Sequence, residues 1–137
     1  MSGEPDIRIA AAVIVDADGR TLLVRKRGTR AFMQAGGKVA ADETPAEALA
    51  RELREELDCG LAGAPRPLGR FQAPAANEPG LTVEAELFVV ELDGDICPGN
   101  EIEAAIWHDP ADHLSVALAP LTRDHVLPLV PRLRRNA

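Results

Sequence analysis

Glu52, Glu55 and Glu56 recur at helical spacing within residues 37–58, a stretch with seven acidic side chains against Lys38, Arg51 and Arg54. Carboxylates three or four positions apart on a helix repel by roughly 0.2–0.5 kcal/mol per pair, so such a cluster implies a solvated surface or a bound cation. At about 100° per residue the three glutamates share one arc, with Ala48 in its middle adding no bulk. Ala46, Leu49, Ala50, Leu53 and Leu57 fill the adjoining arc, and Glu47, Arg51 and Arg54 the third, with Glu47 and Arg51 at i,i+4 spacing. Three carboxylates left unpaired by the arginines suit Mg²⁺ or Mn²⁺, which prefer octahedral oxygen ligands and keep waters or substrate phosphates in some positions.

The helix carrying them has a marked start. Thr44, Pro45 and Glu47 supply an N-cap, a proline at the first helical position and the partner carboxylate of a capping box. Upstream, "IRIAAAVIV" reads as a buried strand, "DADGR" as a turn and "TLLVRKR" as a returning strand, which together predict a β-hairpin. Residues 28–43 predict an ordered loop, and residues 65–80, with four prolines, a long excursion. "LTVEAELFVVEL" and "AAIWHD" read as strands. "RDHVLPLVPRLRR" has helical apolar spacing, but Pro128 and Pro131 restrict a helix there to one that starts near either of them. Strands with one strong helix indicate an α+β chain or an α/β/α sandwich.

With 137 residues, 46% of them apolar, residues 1–137 are expected to form a single domain around one core. A formal charge of -7 and a pI near 4.9 oppose loose binding to nucleic acid backbones or anionic membranes. A phosphate ligand therefore needs a cation as mediator. Cys59 and Cys97 form no CxxC and have no histidine at metal spacing, which argues against a zinc site and a disulfide framework. His108, His113 and His125 show no metal or triad spacing. "MSGEPDIR" has acids where a signal peptide has bases, and the longest apolar run, Ile9 to Val15, is far shorter than the ~20 residues of a membrane span. A cytoplasmic protein with two free thiols is expected.

The acidic helix and its flanks resemble the Nudix box, G-x5-E-x7-R-E-U-x-E-E-x-G-U with U aliphatic. The residues are Gly37, Glu43, Arg51-Glu52-Leu53, Arg54, Glu55-Glu56, Leu57 and then Asp58-Cys59. Every charged position is filled at the right spacing, and the order of elements around the box is similar to the family's over most of the chain. Asp58 replaces the usual Gly; aspartate tolerates the left-handed conformation better than most residues, so the helix is still expected to end there. Ala35 replaces a frequent Pro, and Ala40 and Asp42 a frequent Glu and Gly, which implies a less rigid loop and an altered outer metal sphere.

The resemblance implies a Nudix-type α/β/α sandwich with a mixed central sheet. It also implies hydrolysis of a nucleoside diphosphate linked to a group X, by attack of water on phosphorus. Its metal ligands carry over to Glu52, Glu55 and Glu56, with the carbonyl of Gly36 contributing and Mg²⁺ the expected ion, Mn²⁺ a substitute. Divalent ions would neutralise the diphosphate, polarise the phosphorus and lower the pKa of a bound water. Glu52, held by Arg51, is the first candidate for the base and Glu55 the second. Glu43 is expected to tie the loop to the helix, and Lys38 to offset charge on the phosphates or leaving group. A further acid outside the box is preferred at Glu101 over Glu103.

For the X group, Phe32 and Phe71 are better placed to touch a ligand than Phe88 and Trp107, which are expected in the core. Asn77 and Glu78 can read a base edge or form a plain turn. The favoured substrate is a small nucleotide, a standard or oxidised nucleoside triphosphate cleaved to monophosphate and pyrophosphate, acted on by a monomer or homodimer. ADP-ribose, dinucleoside polyphosphates and a non-catalytic nucleotide-binding module are the alternatives.

Overall fold

The computed structural model describes residues 4–134. Its strands are β1 (Ile7–Val13), β2 (Thr21–Lys26), β3 (Gly36–Lys38), β4 (Gly60–Leu61), β5 (Arg66–Pro74), β6 (Thr82–Val89), β7 (Leu92–Asp93) and β8 (Ile102–His108). Helix α1 (Pro45–Leu57) lies between β3 and β4; after β8 come a π-helical turn (Thr122–Val126) and a short α2 (Val130–Arg134). The main sheet has the order β3-β1-β6-β5, while β2 pairs with β8 and β4 with β7. It is a mixed sheet: β1 runs parallel to β6, from Ile7 opposite Val83 to Val13 opposite Val89, and antiparallel to β3.

The apolar run of β1 is continuous because both its faces are covered. Ala10 and Ala12 pack with Leu49, Leu53 and Leu57 of α1, and Ala11 and Val13 pack with Leu121, Val126 and Val130 on the other side. This is the expected α+β sandwich.

The predicted hairpin is corrected. The turn forms, with Gly19 at φ +82°, but β1 and β2 share only the bridge between Val15 and Thr21. Both edges of β1 are already hydrogen-bonded, to β3 and β6, so β2 pairs instead with β8. The 65–80 stretch is corrected as well, since most of it is β5. Its prolines are tolerated because β5 is an edge strand with a register shift between Pro67 and Gly69. Within the predicted 28–43 loop lies the short β3. Near the C-terminus the helical spacing is divided between the π turn and α2, which begins one residue before Pro131; Arg135 of that stretch lies outside the described residues.

Helix α1 starts and stops as its sequence dictates. The Glu47 N–H donates to Thr44 Oγ1 (3.2 Å) and the Thr44 N–H to Glu47 Oε1 (2.8 Å), closing the capping box. Asp58 adopts the left-handed conformation at φ 54°, and its N–H bonds to the Arg54 carbonyl. The next carbonyls are capped from the chain ahead of β8: the Gly99 N–H donates to Glu56 O and the Cys97 N–H to Leu57 O, both at 2.8 Å.

The faces of α1 are rolled relative to the periodicity. Ala48, expected in the open anionic arc, is fully buried, while Ala50, expected in the apolar arc, is exposed. Glu56 is buried along with Ala48. The helix turns this side towards Gly36 and Gly37 of β3, which present no side chains to keep it away.

Candidate active site

The two glycines of β3 set how near the acidic helix can come. Gly36 has φ +147°, and a Cβ there would overlap the carbonyl of Ala10 on the neighbouring strand. A Cβ on Gly37 would overlap the carboxylate of Glu52. Glu56, only 4% exposed, accepts the Gly36 N–H at Oε1 (3.1 Å). Its Oε2 lies 3.4 Å from Lys26 Nζ, within ion-pair range but without the alignment of a hydrogen bond, so this buried oxygen lacks a donor. Burial raises the Glu56 carboxyl to about 7, against the opposing pull of Lys26 and the Gly36 N–H.

Arg51 organises the other carboxylates. Its guanidinium grips Glu43 with two bonds, Nε to Oε2 (2.7 Å) and Nη2 to Oε1 (2.8 Å). It also donates from Nη1 to Glu52 Oε2 (2.7 Å) and from Nη2 to the Lys38 carbonyl (3.1 Å). Glu43 takes the Ala40 N–H as well (2.9 Å). The Arg51 bonds, then the Ala40 N–H, hold the Glu43 carboxyl at about 2.

Two expectations about α1 change here. Arg51 pairs with Glu43 and Glu52 rather than with Glu47, whose carboxylate serves the cap. The three glutamates are not left unpaired: Glu52 is bonded to Arg51, Glu56 faces Gly36 and Lys26, and Glu55, with its side chain 59% exposed, lies 3.8 Å from Arg51. Among the described residues no three Asp, Glu, His or Cys side chains are gathered closely enough to hold a metal ion as they stand. The surroundings nonetheless fit a hard divalent cation, because the donors are oxygens and one of them, Glu56 Oε2, is buried with an ion-pair contact to Lys26 but no aligned hydrogen bond.

A cleft of about 350 Å³ opens beside this cluster. Gly36, Gly37, Lys38, Glu52, Glu55 and Glu101 line its charged end, together with Lys26. Asn77 and Glu78 line it from the connection between β5 and β6, so Asn77 is brought to the site. Glu56 stands behind Gly36, and Arg51 and Glu43 flank the cleft without lining it. Glu103 is instead paired with Arg27 at 2.9 Å.

Neither Phe32 nor Phe71, expected to touch a ligand, lines the cleft. Phe32 is buried with the Arg25 guanidinium 5.8 Å from its ring centre, and Phe71 packs against His125 with ring centres 5.4 Å apart. Phe88 is in the core as expected, but Trp107 is 39% exposed. Sequence reasoning missed Lys26, Gln34 and Thr122, all of which line the cleft. The available signal was a lysine closing an apolar strand and a glutamine in the otherwise apolar "AFMQA".

A mixed sheet between helical layers, with a glycine pair against an acidic helix, defines the class. Residues 6–130 match the NUDIX domain family, and the chain belongs to it. The family uses divalent metal cations. Over 116 residues the chain is 33% identical to the CTP pyrophosphohydrolase of Escherichia coli (strain K12), covering 80% of this chain and 81% of that protein. It is 43% identical over 67 residues to the RNA pyrophosphohydrolase of Halorhodospira halophila (strain DSM 244 / SL1), but that match covers 45% of this chain and only 37% of the relative. The solution structure of the E. coli ORF135 protein superposes with a TM-score of 0.69 at 30% identity, over 94% of this chain and 89% of that one. Among the described residues no helix is long and apolar enough to cross a membrane.

Proposed function

We propose that this Nudix hydrolase cleaves a nucleoside triphosphate to the monophosphate and pyrophosphate with Mg²⁺. The reading rests on one observation: a cleft of nucleotide size whose charged end joins glutamates, lysines and a side-chain-free glycine pair. Glu52, Glu55, Glu56 and the Gly36 carbonyl would hold the ion, with Glu101 as a further ligand across the cleft. When bound, the ion supplies neutralisation of the diphosphate and Lewis acidity at phosphorus.

The chain's own residues do the rest. Lys26 and Lys38 bring positive charge to phosphates that the net charge of -7 otherwise repels. Arg51 fixes Glu52 through one oxygen, so that its other oxygen can accept a proton from the attacking water; Glu55 is the second candidate for that role. Glu43 holds Arg51 in place and so acts by positioning. CTP is the first triphosphate to try, given what the E. coli relative is named for.

The test is turnover of purified protein with and without Mg²⁺ against nucleoside triphosphates, oxidised triphosphates, ADP-ribose and dinucleoside polyphosphates. A Glu55→Gln, Glu56→Gln double variant serves as control. The expected result is metal-dependent monophosphate and pyrophosphate release from a triphosphate, reduced at least about a hundred-fold in the variant. Turnover of ADP-ribose alone would redirect the reading, and nucleotide-dependent melting shifts without turnover would replace it with a binding module.

A further inference from the structure

Lys26 reaches the charged end of the cleft by way of the core. Along β2, Leu22 and Val24 pack in the cluster beneath α1, and Lys26 follows two residues on, where alternation keeps it on the same face. Ile102, its partner on β8, belongs to that cluster, and the pairing slips register between Arg25 and Lys26. Register slips of this kind re-aim side chains beside functional sites. The backbone at this point is fastened, because the Lys26 carbonyl accepts both the Thr29 N–H (3.1 Å) and the Thr29 hydroxyl (2.7 Å). Any change of partner therefore falls to the side chain, which is 37% exposed and lines the cleft with Glu52, Glu55 and Glu101.

The two oxygens of Glu56 are held unequally. Oε1 accepts the Gly36 N–H, whereas Oε2 faces the Lys26 ammonium at 3.4 Å without an aligned hydrogen bond. A carboxylate buried this deeply requires a counter-charge. Lys26 supplies it, since Arg51 is committed to Glu43 and Glu52. An ammonium on a flexible four-carbon stem is an exchangeable partner, unlike the two-bond guanidinium grip on Glu43. Glu56 is also one of the carboxylates assigned above to the divalent ion, and two cations at one oxygen repel each other.

Resting on the Mg²⁺-dependent hydrolase reading above, we propose that Lys26 is an exchangeable counter-ion: it holds Glu56 until a divalent ion takes that carboxylate, and the released ammonium then turns to the nucleotide's phosphates. Lys26 thus opposes binding of the ion alone and favours binding of the nucleotide. It acts as a positioning residue for Glu56 and as a phosphate ligand after the exchange.

The two roles predict opposite effects of one substitution. Mn²⁺ binding to the nucleotide-free protein, followed by calorimetry, is a readout independent of turnover. KM for the fastest-cleaved of CTP, UTP, GTP and ATP supplies the other half. Lys26→Met should bind Mn²⁺ about ten-fold more tightly and raise KM about ten-fold. If Lys26→Met does not fold, Lys26→Gln decides. Lys38→Met removes the same charge from the same end of the cleft, but from a lysine not paired with Glu56, and should raise KM without a comparable gain in Mn²⁺ affinity.

Unchanged or weaker Mn²⁺ binding in a folded Lys26 variant would overturn the exchange and leave the hydrolase reading intact. So would an equal gain in Lys38→Met, or a KM that stays at the wild-type value. A wild type that binds no Mn²⁺ and cleaves none of the four triphosphates would overturn both.

Discussion

At the charged end of the cleft, Gly36, Gly37, Lys38, Glu52 and Glu55 come from one stretch of β3, loop and α1. The rest of the lining, with Ile7, Asn77, Val83 and Thr122, comes from segments scattered along the chain. The first end is built by local code: a capping box, an i,i+3/i+4 carboxylate set, and glycines where a Cβ would collide. The second exists only once the sheet and the π turn have assembled. A difference of this kind lets the phosphate chemistry stay constant while the group beside it changes.

Gly37→Ala tests the charged end most severely, because its new Cβ displaces the Glu52 carboxylate. We expect about a hundred-fold loss of kcat on every triphosphate, since small misplacements of reacting groups carry losses of that size. A loss confined to one base would break the division between the two ends.

Glu43→Gln comes next, and frees Arg51 from its two-bond grip; about a ten-fold fall in kcat is expected, equal across substrates. This substitution also has a pH signature. The Glu43 carboxyl titrates at about 2 in the folded protein against an ordinary value of 4.5, so its contribution to stability is present above 4.5 and disappears as pH falls towards 2. Melting curves of wild type and Glu43→Gln should therefore be furthest apart near neutrality and converge between about pH 4.5 and 2. A constant gap would assign the effect to packing.

The smallest effect is expected from Asn77→Ala at the other end. It should raise KM a few-fold for some bases and not others, leaving kcat in place, because one neutral hydrogen bond contributes only about 0.5–1.5 kcal/mol. A uniform loss of kcat would move Asn77 into the phosphate machinery.

The same contrast explains what could be read from the chain in advance. Thr44, Pro45, Glu47 and Asp58 delimit α1 through contacts within a few residues of one another, so both its ends were legible. The hairpin was not, because no residue of "IRIAAAVIV" reveals that both edges of the strand will be taken by β3 and β6. The prolines of residues 65–80 suggested a loop, since their compatibility with a strand depends on that strand lying at an edge. Periodicity placed the carboxylates on α1 correctly in sequence but misjudged their setting. It treats the helix as a free cylinder, whereas Gly36 and Gly37 let it roll until Ala48 and Glu56 were buried. Gln34 looked like a loop residue because its burial and its partner come from Thr122, far along the chain.

The caps on the end of α1 have a consequence for how this protein can diverge. Cys97 and Gly99 close the last carbonyls of the helix, a Cβ on Gly99 would strike the Glu55 carbonyl, and the Ile102 N–H returns to Gly99 O at 3.0 Å. Glu101 is thus a fixed number of residues from a fastened point. Inserting or deleting a residue between Gly99 and Glu101 would carry this acid out of register with the glutamates across the cleft. The connection at residues 75–81 closes on itself, from the Ala75 N–H to Leu81 O and from the Leu81 N–H to Glu78 O, so a change in its length leaves the helix and Glu101 in register.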